Sequence, residues 1–144
     1  TQFNGTVCLY FESDKPLELN GKPYLIINAN ENELIDHVLV SSSVAETYAP
    51  AGKALISVNL IGMKEFTEEK IQAELQQWFG GGYDWRHLKT YKLPHALPRF
   101  FPDSELEREL RISENLYRCG DYTAYPSLNA AMKTGRLVAE MIGK

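Results

Sequence analysis

The chain has 144 residues, 44% of them hydrophobic and 24% charged, which is enough for one domain that hides roughly two-thirds of its unfolded surface. A formal net charge of −4 leaves no basic excess to neutralise phosphates, so nucleic acid is excluded as the main partner. No apolar run is long enough to span a bilayer, and no charged-then-apolar signal segment opens the chain at Thr1.

In chain order, residues 6–12 alternate, with Val7, Leu9 and Phe11 on one side and Cys8 and Tyr10 on the other, which predicts a strand. Pro16 and the Asn20-Gly21 pair supply turn chemistry before a second predicted strand at residues 23–28. A polar loop at residues 30–32 leads to a third strand at 37–42. After a turn at 49–52 comes the longest strand, 53–61, apolar on both faces and therefore expected inside a sheet. Thr67 is a suitable N-cap, and Glu68 and Glu69 complement the positive end of a helix dipole. Ile71, Leu75, Trp78 and Phe79 then form one apolar stripe, and Gly80, Gly81 and Gly82 end the helix. A strand is predicted at 85–93, an extended proline-rich loop at 94–102 and a short charged helix at 104–110. A short strand at 115–119 runs into Gly120-Asp121, and a final helix at 127–142 starts on Ser127. Along that helix Ala131, Gly135 and Ala139 recur every fourth residue, a stripe that admits a close backbone neighbour. The fold class expected is α+β: a mixed sheet of about five strands, one packed helix and a C-terminal helix.

Cys8 and Cys119 match no metal spacing and sit in apolar runs, which predicts buried free thiols in a reducing, cytoplasmic compartment. His37, His87 and His95 are not spaced as ligands either, so no metal site is expected. Tyr83, Trp85, Tyr91, Phe100 and Phe101 suit either plain core or the wall of a hydrophobic cavity, with core the simpler reading.

The chemistry concentrates near the C-terminus. Leu116-Tyr117-Arg118-Cys119-Gly120-Asp121 is followed by Ser127-Leu128-Asn129-Ala130-Ala131-Met132 and then Thr134-Gly135-Arg136. An acid at a strand's carboxyl end beside a capped helix N-terminus offers an acceptor for sugar-like hydroxyls and N–H groups for an electron-rich atom. Alone, Gly120-Asp121 reads first as a tight turn with a capping acid, and it is the matched helix after it that favours a ligand site.

This segment resembles the C-terminal FAD motif of the amine-oxidase superfamily, which includes protoporphyrinogen oxidases, carotenoid desaturases and monoamine oxidases. Upstream, Leu9-Tyr10-Phe11, Tyr48-Ala49-Pro50-Ala51-Gly52-Lys53-Ala54-Leu55, Trp85-Arg86-His87-Leu88-Lys89-Thr90-Tyr91 and Pro94-His95-Ala96-Leu97-Pro98 resemble the substrate domain of the phytoene-desaturase-like branch. The resemblance implies that residues 1–114 are part of a substrate domain and 115–144 the last strand, loop and helix of the FAD domain. It assigns the ribityl or phosphate region of FAD to Gly120 and Asp121, and the pyrimidine edge of the flavin to the capped helix start at Ser127, Leu128, Asn129 and Ala130. Asn129 stands where many relatives carry Glu. It names no catalytic side chain, since the flavin carries the chemistry.

None of the ten glycines forms Gly-x-Gly-x-x-Gly, the turn on which FAD's pyrophosphate rests in that family. The expectation is therefore a C-terminal fragment of a FAD-dependent oxidoreductase, inactive by itself and binding FAD weakly or not at all. Its implied partners are the missing N-terminal dinucleotide-binding region and, in a parent that is cytoplasmic or membrane-associated, a hydrophobic small-molecule substrate. Apolar surface laid bare by truncation would favour an artefactual dimer. The rival readings are a stand-alone, non-catalytic α+β module binding a ligand or protein, and an oligomerisation domain using the Ala131-Gly135-Ala139 face.

Overall fold

A computed structural model describes every residue except Thr1, Glu18, Gly21, Glu31, Ser104 and Lys144. The chain is α+β, with a five-stranded antiparallel sheet and three helices. It divides into two compact units, one of Gly5–Pro94 and the other of Thr1–Asn4 with His95–Lys144.

The larger unit holds most of the sheet. Its strands are β1 (Phe3–Ser13), β2 (Leu25–Ile27), β3 (His37–Val40), β4 (Ala54–Ile61) and β5 (Trp85–Pro98), in the spatial order β2-β3-β4-β1-β5. The unit boundary cuts β1 after Asn4 and β5 after Pro94. β4 lies inside the sheet, as its two apolar faces predict, but the sheet is antiparallel where a mixed one was expected. Between β2 and β3 the connection from Ile27 to His37 is too short for the crossover that parallel neighbours need.

Alternation sorts the side chains into two faces. Val7, Leu9 and Phe11 pair with Leu60, Val58 and Ile56, and Val58 and Ile56 pair with Val38 and Val40. All eight are buried, and helix α2 (Glu68–Phe79) closes this face with Ile71 and Leu75. The Thr67 hydroxyl caps α2 by accepting from the Lys70 amide, and Gly80 ends it at φ 84°, a left-handed conformation that suits glycine. Trp78 and Phe79 complete the apolar stripe at the core's margin. The Glu74 carboxylate accepts from the Leu34 and Ile35 amides at 2.9 Å, tying α2 to the loop before β3.

Several boundaries differ from the sequence expectation. β3 stops at Val40 and a single turn, α1 (Ser41–Val44), follows. There the Ser43 hydroxyl donates to the Val40 carbonyl at 2.7 Å and the Ser42 oxygen accepts from the Leu55 amide, so serine side chains replace ladder bonds. β5 runs through Pro94 to Pro98 instead of ending before Pro94. It is an edge strand, where a missing N–H facing away from the sheet costs nothing. In the predicted turn Asn20 is left-handed, at φ 52°, while Gly21 lies outside the described residues.

The smaller unit contains a hairpin, β6 (Arg111–Ser113) and β7 (Leu116–Tyr117), a 3₁₀ turn at Asp121–Thr123, and helix α3 (Leu128–Ile142). Among its described residues few are buried: Pro98, Leu110, Thr123, Ala124, Ala130 and Thr134. Ser104 is outside the described residues, and 105–110 are not helical. That stretch has no apolar stripe, and its backbone is used elsewhere: the Arg108 amide donates to the Thr123 carbonyl at 2.9 Å.

Candidate functional site

The predicted site residues all fall in the smaller unit and within one connected segment. Gly120 has φ 139° and ψ 166°, a region open only to glycine. Its amide donates to Thr134 Oγ1 on α3 at 2.9 Å, and the Thr134 hydroxyl donates on to the Ala130 carbonyl at 2.9 Å. The Gly120 carbonyl accepts from both the amide and the hydroxyl of Thr123. The turn is thus fastened from both sides, to α3 and to its own 3₁₀ segment. Asp121 is half-buried, and its carboxylate has no hydrogen-bonding partner among the described residues.

Ser127 caps α3, its hydroxyl accepting from the Ala130 amide at 3.1 Å. That bond occupies one of the N–H groups expected to face a ligand. The Leu128 and Asn129 amides, which have no intrahelical partner at a helix start, remain. Leu128 is 78% exposed, Asn129 is also exposed, and Ala130 is fully buried. Thr134 belongs to the quoted motif, but its function as the clamp on Gly120 was not assigned from sequence. The signal available was its place two turns beyond the cap, on the face of Ala130.

Part of the exposed side of α3 is apolar, beside a polar strip of Asn129, Lys133, Arg136 and Glu140. Leu128, Met132, Gly135, Ala139 and Ile142 share one face, and space beside Gly135 is open enough that an added Cβ would meet nothing within 4 Å. A hollow of about 580 Å³ lies along another side of the helix, lined by Arg108, Leu110, Lys133, Leu137 and Met141 among others; it does not include Asp121 or the first turn of α3. Glu107 pairs with Lys133 beside it at 2.9 Å and raises the lysine's pKa.

Other predicted features are dispersed. Cys8 and Cys119 are free, but Cys8 is only half-buried and Cys119 is exposed, which corrects the expectation of two buried thiols. Cys119 lies beyond the end of β7, outside the strand ladder. Burial raises the Cys8 pKa, offset in part by a hydrogen bond with Tyr10. Trp85 is core, stacked with Tyr83 at 5.3 Å, whereas Tyr91 packs edge-on against Tyr10 across the opposite sheet face. In the smaller unit Phe100 is half-buried and Phe101 exposed, so the five aromatics are not one core. His37 bonds Asp36 at 2.7 Å, and His87 bonds Glu68 and Thr90 at 2.8 Å each. Among the described residues no group of three His, Cys, Asp or Glu side chains could hold a metal ion, and no helix is long and apolar enough to cross a membrane.

A cluster that sequence reasoning did not find sits where β1, β4 and β5 meet. The Glu12 carboxylate accepts from Lys53 Nζ at 2.9 Å and from Arg86 Nε at 2.8 Å, and these two bonds hold its pKa below the usual value. The three residues are remote in sequence, and only strand pairing brings them together. Neither family models nor curated proteins give a match to this chain.

Proposed function

We propose that the chain is the C-terminal part of a FAD-dependent oxidoreductase of the amine-oxidase and phytoene-desaturase type, and that it supplies the flavin's ribityl and pyrimidine edge. The observation that carries this reading is the Gly120-Asp121 turn, clamped by Thr134 onto the middle of α3. The turn carries a half-buried carboxylate without a hydrogen-bonding partner among the described residues, and a short loop, 122–126, separates it from a capped helix whose first two amides are open. Such a donor and acceptor set fits one edge of a flavin nucleotide: Asp121 accepts from ribityl hydroxyls, and the Leu128 and Asn129 amides donate to the pyrimidine edge. Bound there, FAD would supply hydride abstraction from an amine, porphyrinogen or isoprenoid substrate, with reoxidation by oxygen or a quinone. The chain's own residues hold and orient it, and the partial positive charge of the α3 N-terminus favours an electron-rich ring edge.

The exposed apolar face of α3, from Leu128 to Ile142, favours this reading over a stand-alone module, because a solvated helix does not normally carry such a stripe. In this reading the stripe leans on the dinucleotide-binding region that holds FAD's pyrophosphate. The test is flavin content of the full natural polypeptide carrying Asp121→Ala. The expected result is a clear loss of flavin absorbance per protein with the fold retained by circular dichroism; unchanged flavin content refutes the assignment. The 144-residue chain alone is expected to bind FAD weakly or not at all in a fluorescence titration.

A further inference from the structure

The face of the sheet opposite α2 carries a continuous row. Tyr10 pairs with Ser57, Ser57 with Leu39, and Leu39 with Leu25, while Tyr91 of β5 packs on Tyr10. The row crosses all five strands, roughly 19 Å at a strand spacing of about 4.8 Å. Leu25 is 56% exposed and its neighbour Ile27 is 69% exposed, so the described residues leave the β2 end largely open. Ser57 is the small residue at the centre and is itself buried between its larger neighbours in the row, Leu39 and Tyr10.

At the other end the row runs beside the Glu12 cluster. Glu12 and its pairing partner Leu55 lie on this same face, and Leu88 joins them around a hollow of about 70 Å³ that also borders Lys53 and Tyr48. One carboxylate there serves two cations, leaving one positive charge in excess in a chain whose net charge is −4. The Glu12 side chain is 17% exposed, whereas Lys53 and Arg86 are 39% and 66% exposed. Each cation keeps N–H donors beyond those that Glu12 uses. An apolar track ending at a singly positive, donor-rich corner is complementary to an apolar molecule with a singly negative end.

We propose that this sheet face binds an elongated apolar molecule ending in a carboxylate, with the body along the Leu25–Leu39–Ser57–Tyr10–Tyr91 row and the carboxylate received by Lys53 and Arg86. The inference rests on the proposed function only in taking this face as the substrate wall, and it is tested without flavin. The probe is cis-parinaric acid, an eighteen-carbon fluorescent carboxylate, titrated into the 144-residue chain beside its methyl ester. The acid is expected to bind about tenfold more tightly than the ester. The double variant Lys53→Gln, Arg86→Gln, whose sites are surface positions, is expected to remove that preference and leave ester binding unchanged. Leu25→Asp is expected to weaken both probes. Equal binding of acid and ester, binding of neither, or a preference that survives in the double variant overturns the proposal. Failure here with flavin content still dependent on Asp121 refutes this inference alone; acid binding in a protein whose flavin ignores Asp121 refutes the other alone.

Discussion

The amide of Gly120 donates to the hydroxyl of Thr134 at 2.9 Å, and that bond joins the turn holding Asp121 to the interior of α3. Thr134 is almost fully buried, so removing its oxygen leaves a shielded N–H without an acceptor. Thr134→Val is expected to lower stability by about 1–3 kcal/mol, and Thr134→Ser by much less, since serine keeps the oxygen. Denaturant unfolding measures both; equal losses would show that the methyl group and not the hydroxyl matters.

Gly120 itself tolerates no side chain. At φ 139° a Cβ would be strained, and it would stand 2.7 Å from Tyr122 Cε1. Gly120→Ala is expected to cost about 1–3 kcal/mol. Tyr122 can swing away but the backbone cannot, so pairing the change with Tyr122→Ala should recover little of the loss.

The two thiols differ in reactivity. Cys119 is exposed, while Cys8 is half-buried with its pKa raised by burial, so less of it is thiolate at neutral pH. Alkylation by iodoacetamide at pH 7.5, followed by mass spectrometry, should label Cys119 first. Faster labelling of Cys8 would contradict its burial.

Glu12 gives acid sensitivity of a defined sign. Its folded-state pKa lies below the ordinary value of 4.5 because Lys53 and Arg86 donate to it. Its contribution is therefore complete above that ordinary value and lost as pH falls through the lowered folded one. Melting curves should show the wild type losing its advantage over Glu12→Gln on acidification below about pH 4.5. A gap unchanged by pH would mean that the ion pairs contribute nothing.

Glu74 holds a loop with no charged partner among the described residues. Its carboxylate takes the Leu34 and Ile35 amides, so Glu74→Ala strands two donors and should cost about 1–3 kcal/mol. Glu74→Gln, which keeps one acceptor oxygen, is expected to fall between.

Periodicity alone determined the local elements: the Val7-Leu9-Phe11 face of β1, the interior character of β4, the Thr67 and Ser127 caps and the glycine stop at Gly80 all follow from residues close together in sequence. The same locality made the Gly120-Asp121 turn and the start of α3 legible, because the whole segment is contiguous. Where the sequence misled, a distant partner had decided. Pro94 did not end β5 because its outer edge needs no donor, and residues 105–110 stayed irregular because Thr123 claimed the Arg108 amide. The meeting of Glu12, Lys53 and Arg86, and the row from Leu25 to Tyr91, exist only once the strands are paired. Pairing register is a long-range choice, fixed by burying one face of every strand at once, and no single segment encodes it.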